Sequence, residues 1–212
     1  MIISIILAGG KSTRFGKKNK LFHYINNEKV IVKSVNSLYN ISNLIIIVCN
    51  SKNYKKIYKL CNKKKINFVI NDRDNRIDSI KKGYNYINKN LNTSTVDKII
   101  IHDAARPFIS ENYINKIAKD DFKYSQYYLK LTNGLAKIKN KKTNKYKAVD
   151  RSKYIELTTP IAINFELLQN IMNNFEDIVE FLPILNNLKI KYNLIEGRMK
   201  YLRKITYLED IF

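Results

Sequence analysis

The sequence predicts an α/β fold built on a doubly wound, mainly parallel (mixed) sheet. Short apolar runs such as Ile2–Leu7, Leu44–Cys49 and Lys98–Ile101 alternate with longer amphipathic or polar stretches, and this alternation is typical of βαβ units. The chain has 212 residues, 45% of them hydrophobic, which is enough for a sizeable core. Open sheets of this class bind ligands beyond the carboxyl ends of their strands. The loops that follow the strands are therefore the expected place for a site.

The first half of the chain predicts strands separated by helices. Runs rich in Ile, Val and Leu indicate buried strands, and stretches with apolar residues at helical spacing indicate helices. We expect strands at 2–7, 44–49, 68–70 and 98–101, and helices at 30–39, 52–63 and 77–88. Because parallel strands end at the same edge of a sheet, the loops at 8–20, 71–79 and 102–108 should share one crevice.

The second half predicts a different organisation. The segment at about 124–150 contains strand-like runs around a turn rich in Lys and Asn, which predicts a β-hairpin arm projecting from the sheet. After the arm we expect helices at 165–174 and 178–187, and a last strand at 189–195. We find no internal repeat or Pro/Ser-rich linker. Residues 1–212 are therefore predicted to form one domain with an arm.

The composition is strongly basic. Lys and Arg number 39 against 18 Asp and Glu, a formal net charge of +21. Such a charge fits a nucleic acid, a membrane surface or an anionic small substrate. Many Asn, Ile and Tyr residues accompany the Lys, as a genome rich in A and T would produce, and no predicted helix concentrates the basic residues. Nucleic acid is therefore not the expected partner.

The cysteines and the first residues of the chain indicate the cellular compartment. Cys49 and Cys61 are the two cysteines, and no Cys-x-x-Cys or Cys/His cluster surrounds them, which argues against a disulfide framework or a structural zinc site. The apolar start at 1–7 has no basic region before it and is too short to span a bilayer. We expect a cytoplasmic protein that does not bind membranes.

A glycine-containing loop follows the first predicted strand. In Leu7–Gly16 the residues Gly9 and Gly10 let backbone N–H groups approach phosphate oxygens, while Arg14 and the nearby Lys20 supply positive charge. The spacing matches neither the Walker A loop nor the dinucleotide fingerprint Gly-x-Gly-x-x-Gly. The loop is therefore predicted to bind a phosphorylated ligand in a different way from those two classes.

Four motifs in a fixed order carry a resemblance to a known family. They are Leu7-Ala-Gly-Gly-x-x-x-Arg-x-Gly16 with Lys20 after it, His102-Asp-Ala-Ala-Arg-Pro107, Val149-Asp-Arg151 before Thr159-Pro160, and Glu196-Gly-Arg198 before Lys204-Ile-Thr206. Together they resemble the 2-C-methyl-D-erythritol 4-phosphate cytidylyltransferases and the closely related ribitol-5-phosphate cytidylyltransferases. The resemblance covers nearly the whole chain.

The resemblance implies a fold, a reaction and an assembly. The fold would be that of a Rossmann-like nucleotidyltransferase with a projecting β-arm. The reaction would be Mg²⁺-dependent and would join CTP to 2-C-methyl-D-erythritol 4-phosphate, releasing pyrophosphate, in non-mevalonate isoprenoid biosynthesis. The assembly would be a homodimer in which each arm completes the acceptor site of the other subunit.

The resemblance also implies roles for individual residues. It assigns catalysis to Arg14, Lys20, Arg151 and Lys204. It assigns nucleotide binding to Ala8, Gly9, Gly10, Arg76, Ser79, Asp103 and Ala104, and acceptor binding to Arg106, Thr159 and Asp177. Asp103 would also be the Mg²⁺ ligand, since a carboxylate at the end of a strand faces the phosphates there.

Several alternatives remain open at the level of the sequence. Asp103 and Ser79 could each be a helix N-cap, and Arg76 could be a solvated loop residue. Glu176 stands where the family has a hydroxyl residue near the acceptor, so ribitol 5-phosphate is an alternative acceptor. The molybdopterin nucleotidyltransferases share only the first motif. A relative that has lost turnover and a basic protein that binds nucleic acid are the alternatives from other classes.

Overall fold

The computed structural model describes residues 1–16, 18–141 and 143–211. Its strands are β1 (Ile2–Ala8), β2 (Tyr24–Ile25), β3 (Glu28–Lys29), β4 (Leu44–Cys49), β5 (Ile66–Ile70), β6 (Lys98–Asp103), β7 (Tyr124–Lys130), β8 (Leu135–Asn140), β9 (Lys145–Val149), β10 (Ile155–Asn164) and β11 (Asn193–Glu196). Its α-helices are α1 (Val30–Tyr39), α2 (Ser51–Cys61), α3 (Arg76–Asn90), α4 (Glu111–Ala118), α5 (Phe165–Asn174), α6 (Phe181–Asn187) and α7 (Met199–Leu202). Short 3₁₀ helices lie at Lys20–Phe22, Thr93–Thr95, Arg151–Lys153 and Leu208–Ile211.

The main sheet is mixed and mainly parallel, as the sequence predicts. It has seven strands in the order β11-β7-β10-β6-β1-β4-β5. Strand β1 pairs in parallel with β4 and β6, and β10 is antiparallel to both of its neighbours. In the register of the three central strands, Ile5 lies between Ile46 and Ile101. Continuous Ile runs form these strands because both faces of the sheet are covered.

Helices cover both faces, so the fold is doubly wound. Because side chains alternate along a strand, Ile6 of β1 faces a core made with α1, α2 and α4, whereas Ile5 faces a second core made with α3, α5 and α6. Both isoleucines are fully buried. Among the helices described, none has the length and apolar character needed to cross a bilayer.

The arm is shorter than the expected segment of about 124–150. Strand β7 lies inside the main sheet between β10 and β11, and the separate hairpin consists of β8 and β9 alone. The polar sequence of β7 conceals this burial. Tyr124 donates a hydrogen bond to Gln126 Oε1 at 2.6 Å, and Gln126 Nε2 donates to Thr158 O at 3.1 Å. These bonds satisfy the buried polar groups, so the strand does not need an apolar sequence.

Other boundaries also differ from the prediction. Helix α6 begins at Phe181 rather than 178, and the last strand begins at Asn193 rather than 189. Strand β10 was not predicted, although eight of its ten residues, from Leu157 to Asn164, are buried or half-buried. The cis peptide bond between Thr159 and Pro160 lies within it. A proline in a run of this kind hides a strand from a sequence pattern.

Gly83 allows helix α3 to pack closely on β1. A Cβ atom at this position would lie 2.9 Å from Cγ2 of the fully buried Ile5. We expect Gly83→Ala to lower the free energy of unfolding by about 1 kcal/mol, since overpacking costs about 1–3 kcal/mol and the gain in helix propensity returns about 1 kcal/mol. Urea unfolding measures this difference. Gly134→Ala, with no atom within 4 Å of the added carbon, is the control, and a stabilised Gly83→Ala protein would contradict the packing.

Candidate active site

A cleft opens beyond the carboxyl ends of β1, β5 and β6. It contains about 700 Å³ of space, open solvent included, and lies at the edge where an open α/β sheet binds ligands. The three loops predicted to share a crevice all contribute to it. The residues that line it are Leu7, Ala8, Gly9, Gly10, Lys20, Leu21, Arg73, Asp74, Asn75, Arg76, Ser79, Asp103, Ala105 and Lys204.

The loop after β1 forms one wall of the cleft. A Cβ at Gly9 would make ordinary contacts, 3.8 Å from Ser79 Oγ and 3.9 Å from Asn71 O, and Gly10 has open space around it. Further along, Gly16 has a φ of 107°, a backbone conformation that glycine adopts readily. Asn19 then caps a 3₁₀ turn by accepting from Leu21 N at 3.0 Å. This cap fixes the turn that places Lys20 in the cleft.

Lys20 lies among other cations. Burial lowers the pKa of its ammonium group to about 8, and the positive charges of Lys204 and Arg14 act in the same direction. Asp103 and Asp210 oppose the shift without cancelling it. A buried ammonium group beside two further cations is destabilised relative to water. A polyanionic ligand would relieve this repulsion.

Asp103 is a buried carboxylate in the lining of the cleft. Its Oδ2 atom lies 2.8 Å from Lys204 Nζ and 3.4 Å from Arg106 Nε. Burial alone would raise the pKa of this carboxyl group, but Lys204, Arg106 and Arg76 outweigh burial and hold the pKa below its ordinary value. Asp103 is therefore ionised at neutral pH.

Asp103 does not cap a helix. The helix after it, α4, has Ser110 at its N-cap, so the N-cap alternative for Asp103 is wrong. Its backbone N–H instead donates to Thr159 Oγ1 at 3.0 Å. Thr159 is buried and does not line the cleft. In this chain it supports Asp103 from behind.

The loop before α3 forms the opposite wall. Asn75 caps α3 by accepting from Ile77 N at 2.8 Å, which makes the N-cap alternative for Ser79 wrong. Ser79 Oγ accepts from Asn71 Nδ2 at 3.0 Å and donates to Asn75 O at 3.2 Å. Arg76, the first residue of α3, also lines the cleft, so it is not a solvated loop residue. Its Nη1 atom lies 3.6 Å from Glu180 Oε2.

The last segment of the chain brings Lys204 to the cleft. The next residue, Ile205, is fully buried, and its N–H donates to Ala105 O at 2.8 Å. Arg106 is buried and donates to Leu202 O. Asp210 Oδ2 accepts hydrogen bonds from the backbone N–H groups of Thr206 and Tyr207, at 2.6 and 2.8 Å. These contacts hold the Lys204 backbone beside the end of β6.

Some predicted site residues lie outside the cleft lining. Arg14 lies over the ring of Tyr207, 5.9 Å from its centroid. Ala104 is fully buried, and Ala105 lines the cleft in its place. Arg106 stands behind Asp103 rather than at the surface of the cleft.

Two further residues are exposed and away from the cleft. Arg151 begins a 3₁₀ turn after β9 and donates to Thr132 O, at the base of the hairpin. Asp177 lies between α5 and α6. Neither lines the cleft that contains Lys20 and Asp103. One chain therefore does not bring Arg151 and Asp177 together with Lys20 and Asp103 in the cleft.

Sequence reasoning missed some residues of the cleft. Arg73 and Asp74 line it, and Asp74 Oδ2 lies 3.1 Å from Lys11 Nζ, an ion pair that joins the two opposite loops. Their position in the loop after the third predicted strand could have indicated them, because that loop is predicted to line the crevice. No motif or spacing in the sequence indicates Glu180, because the residue that it contacts, Arg76, lies more than one hundred positions away in the chain.

The donor set fits a magnesium ion held jointly with a ligand. Within residues 1–16, 18–141 and 143–211, no three His, Cys, Asp or Glu side chains come together as a metal cage. Magnesium is commonly held by one or two carboxylates together with substrate phosphates and water. The ionised Asp103 in a cleft lined by Lys20 and Lys204 meets this requirement.

Comparison with known proteins places the chain in a family. The family described as IspD, 2-C-methyl-D-erythritol 4-phosphate cytidylyltransferase, matches residues 2–212. The cytidylyltransferase of that name from Clostridium perfringens strain SM101 is 28% identical over 225 residues, covering 99% of this chain and 95% of the relative. The bifunctional IspD/IspF enzyme of Pelagibacter ubique is 28% identical over 211 residues. This chain spans about half of that relative, 55% of its length.

Solved structures show the same fold. The bifunctional IspDF of Campylobacter jejuni has a TM-score of 0.78 at 22% identity, covering 99% of this chain and 53% of that one. The 4-diphosphocytidyl-2C-methyl-D-erythritol synthase of Anaerococcus prevotii has a TM-score of 0.75 at 20% identity, covering 99% and 94%. The resemblance carried by the four sequence motifs is thus confirmed. The chain belongs to the 2-C-methyl-D-erythritol 4-phosphate cytidylyltransferase family of nucleotidyltransferases.

Proposed function

We propose that the protein transfers the cytidylyl group of CTP to 2-C-methyl-D-erythritol 4-phosphate and releases pyrophosphate. The observation that carries the proposal is the cluster of Lys20, Lys204 and Asp103 at the ends of β1 and β6, beside the glycine loop. Two cations and one ionised carboxylate suit a triphosphate. The family of the chain supplies the identity of the nucleotide and the acceptor.

Charge and position account for the chemistry. Backbone N–H groups near Gly9 and Gly10 accommodate the triphosphate, and Lys20 and Arg14 stabilise the charge that develops on the α-phosphate. Lys204 directs the phosphate of the acceptor, whose hydroxyl oxygen attacks the α-phosphorus in line while the bond to pyrophosphate breaks. The hydroxyl proton leaves to solvent. Such a reaction depends mostly on positioning and electrostatics.

Asp103 is the residue that would hold Mg²⁺. A bound magnesium ion would neutralise charge on the phosphate oxygens. The protein contributes a carboxylate that stays ionised because Lys204 and Arg106 face it. Thr159 holds the Asp103 backbone from behind and so fixes the direction of that carboxylate.

We also propose that the protein is a homodimer assembled through the β8–β9 hairpin. One face of this hairpin carries Ala136, Ile138, Tyr146 and Ala148 in paired positions, and Ile138 and Tyr146 are more than half exposed. Exposed apolar surface of this kind marks a protein interface. Arg151 at the base of the hairpin would then reach the acceptor site of the partner subunit.

The compartment that suits the protein is the cytoplasm. Cys49 and Cys61 are buried free thiols, and burial raises the pKa of each to about 11. Unreactive, unpaired thiols suit a reducing compartment.

The reaction is tested by pyrophosphate release with CTP and Mg²⁺. We expect turnover with 2-C-methyl-D-erythritol 4-phosphate, none without metal, and a loss of about 10²–10³-fold in Lys20→Ala, since removing one charge-stabilising group costs about that much. Reactions with ribitol 5-phosphate and with no acceptor run in parallel. Turnover only with ribitol 5-phosphate would change the acceptor, and no turnover with either would leave a nucleotide fold without activity.

The lowered pKa of Lys20 predicts the pH dependence of CTP capture. The ammonium group is charged below about pH 8 and loses its proton above it, so kcat/KM for CTP should fall as the pH rises through about 8. Lys20→Arg should remove this fall, because a guanidinium group stays charged. The exposed Lys18 supplies the matched control: Lys18→Arg should keep the wild-type profile. A wild-type profile that is flat to pH 10 would contradict the lowered pKa of Lys20.

The proposed hairpin interface predicts that a variant unable to dimerise will still bind CTP but will lose turnover. Ile138→Glu should give the mass of a single chain in light scattering, since a charge buried at an interface costs association about tenfold or more. CTP binding should stay within about twofold of wild type, because the cleft belongs to one chain, and turnover should fall with the loss of the partner's arginine. Lys147→Glu, on the opposite face of the hairpin, should remain dimeric. A monomeric Ile138→Glu protein with full turnover would contradict the role given to Arg151.

A further inference from the structure

The ion pair between Arg76 and Glu180 has an unusual environment. Arg76 Nη1 and Glu180 Oε2 lie 3.6 Å apart. Both atoms are buried, and neither has a hydrogen-bond partner among the described residues. Buried polar atoms are nearly always hydrogen-bonded, so each exception calls for an explanation. Since Arg76 lines the cleft, the explanation bears on ligand binding.

Neither side chain caps its own helix. Arg76 is the first residue of α3, a helix of 15 residues capped by Asn75, and a positive charge at a helix N-terminus is opposed by the helix dipole. Glu180 precedes α6 and makes no capping hydrogen bond with its side chain. Ser, Thr, Asp or Asn would serve that position better. Helix capping therefore does not explain the pair, which joins the start of α3 to the start of α6.

Glu180 determines which anion Arg76 faces. The charge of Arg76 also acts on Asp103 and lowers the pKa of that carboxyl group. Asp103 already has Lys204 and Arg106 beside it. A guanidinium group keeps its charge at any accessible pH, so Arg76 without Glu180 would be drawn toward Asp103, the buried carboxylate that its charge also affects.

We propose that Glu180 is a positioning residue for nucleotide binding. It faces the buried Nη1 atom and so holds Arg76 at the wall of the cleft, away from Asp103, which leaves the exposed part of the arginine side chain available to the nucleotide. The inference rests on the proposed function, because it takes CTP as the ligand of the cleft. It adds a residue that precedes α6 and lies outside the cleft lining.

CTP titration by calorimetry, without acceptor, tests the proposal in a double-mutant cycle. We expect Glu180→Gln to weaken CTP binding about tenfold, within the range of coupling between contacting charged residues. In an Arg76→Met background the same change should alter the affinity by less than about twofold, because Glu180 acts through Arg76. At saturating CTP, kcat of Glu180→Gln should stay within about twofold of wild type.

A second variant separates positioning from folding. Glu180→Ser removes the carboxylate but places a favoured residue at the N-cap of α6, which offsets part of the stability lost with the ion pair. It should therefore unfold at a higher temperature than Glu180→Gln while weakening CTP binding to the same extent. Glu166→Gln is the matched control, since Glu166 is exposed on α5 and outside the cleft. It should bind CTP as the wild type does.

Three results would overturn the proposal. The first is unchanged or tighter CTP binding in both Glu180 variants. The second is an equal loss of CTP affinity when Arg76 is already replaced. The third is a loss of CTP affinity that parallels the fall in unfolding temperature from one variant to the next. Wild-type protein that does not bind CTP would overturn the proposed function, and this inference with it. The two failures are therefore distinguishable in one set of titrations.

Discussion

The salt bridge between Asp103 and Lys204 is the interaction on which the site depends. It joins the end of a central strand to the last segment of the chain, with Oδ2 and Nζ 2.8 Å apart. Asp103 is buried, so removal of Lys204 would leave its carboxylate less compensated in a poorly solvated place, whereas the Lys204 side chain is 41% exposed and keeps contact with water. Asp103 thus neutralises the cations around it, and they keep it ionised. In the function that we propose, the same charges that hold the last segment in place would face a metal ion and phosphates.

The balance of charge in the cleft favours an anionic ligand. Lys20 is partly buried beside Lys204 and Arg14, and its pKa of about 8 records the cost of keeping it charged there. Asp103 faces Lys204 and Arg106 directly, and it opposes the lowering of the Lys20 pKa without cancelling it. A triphosphate would replace the water that these cations lose on folding. Preorganised charges of this type need little rearrangement when the ligand binds.

Periodicity predicted the fold well where one physical cause dominated. The strand at 44–49 and the helices at 30–39 and 165–174 have the predicted bounds, because burial on both faces of a sheet requires continuous apolar residues. Prediction failed for β7 and β10. In β7, Tyr124 and Gln126 satisfy each other inside the core, and no pattern of apolar residues reveals such a bond.

The sequence by itself determined the doubly wound fold, the glycine loop and the motifs of the family, since these depend on local patterns of residue type. Tertiary structure decided which residues share the cleft. It placed Thr159 behind Asp103 and Arg151 at the base of the hairpin. It also paired Arg76 with Glu180 across the molecule. Contacts between distant residues follow from how strands and helices pack in three dimensions, and no spacing along a single chain encodes them directly.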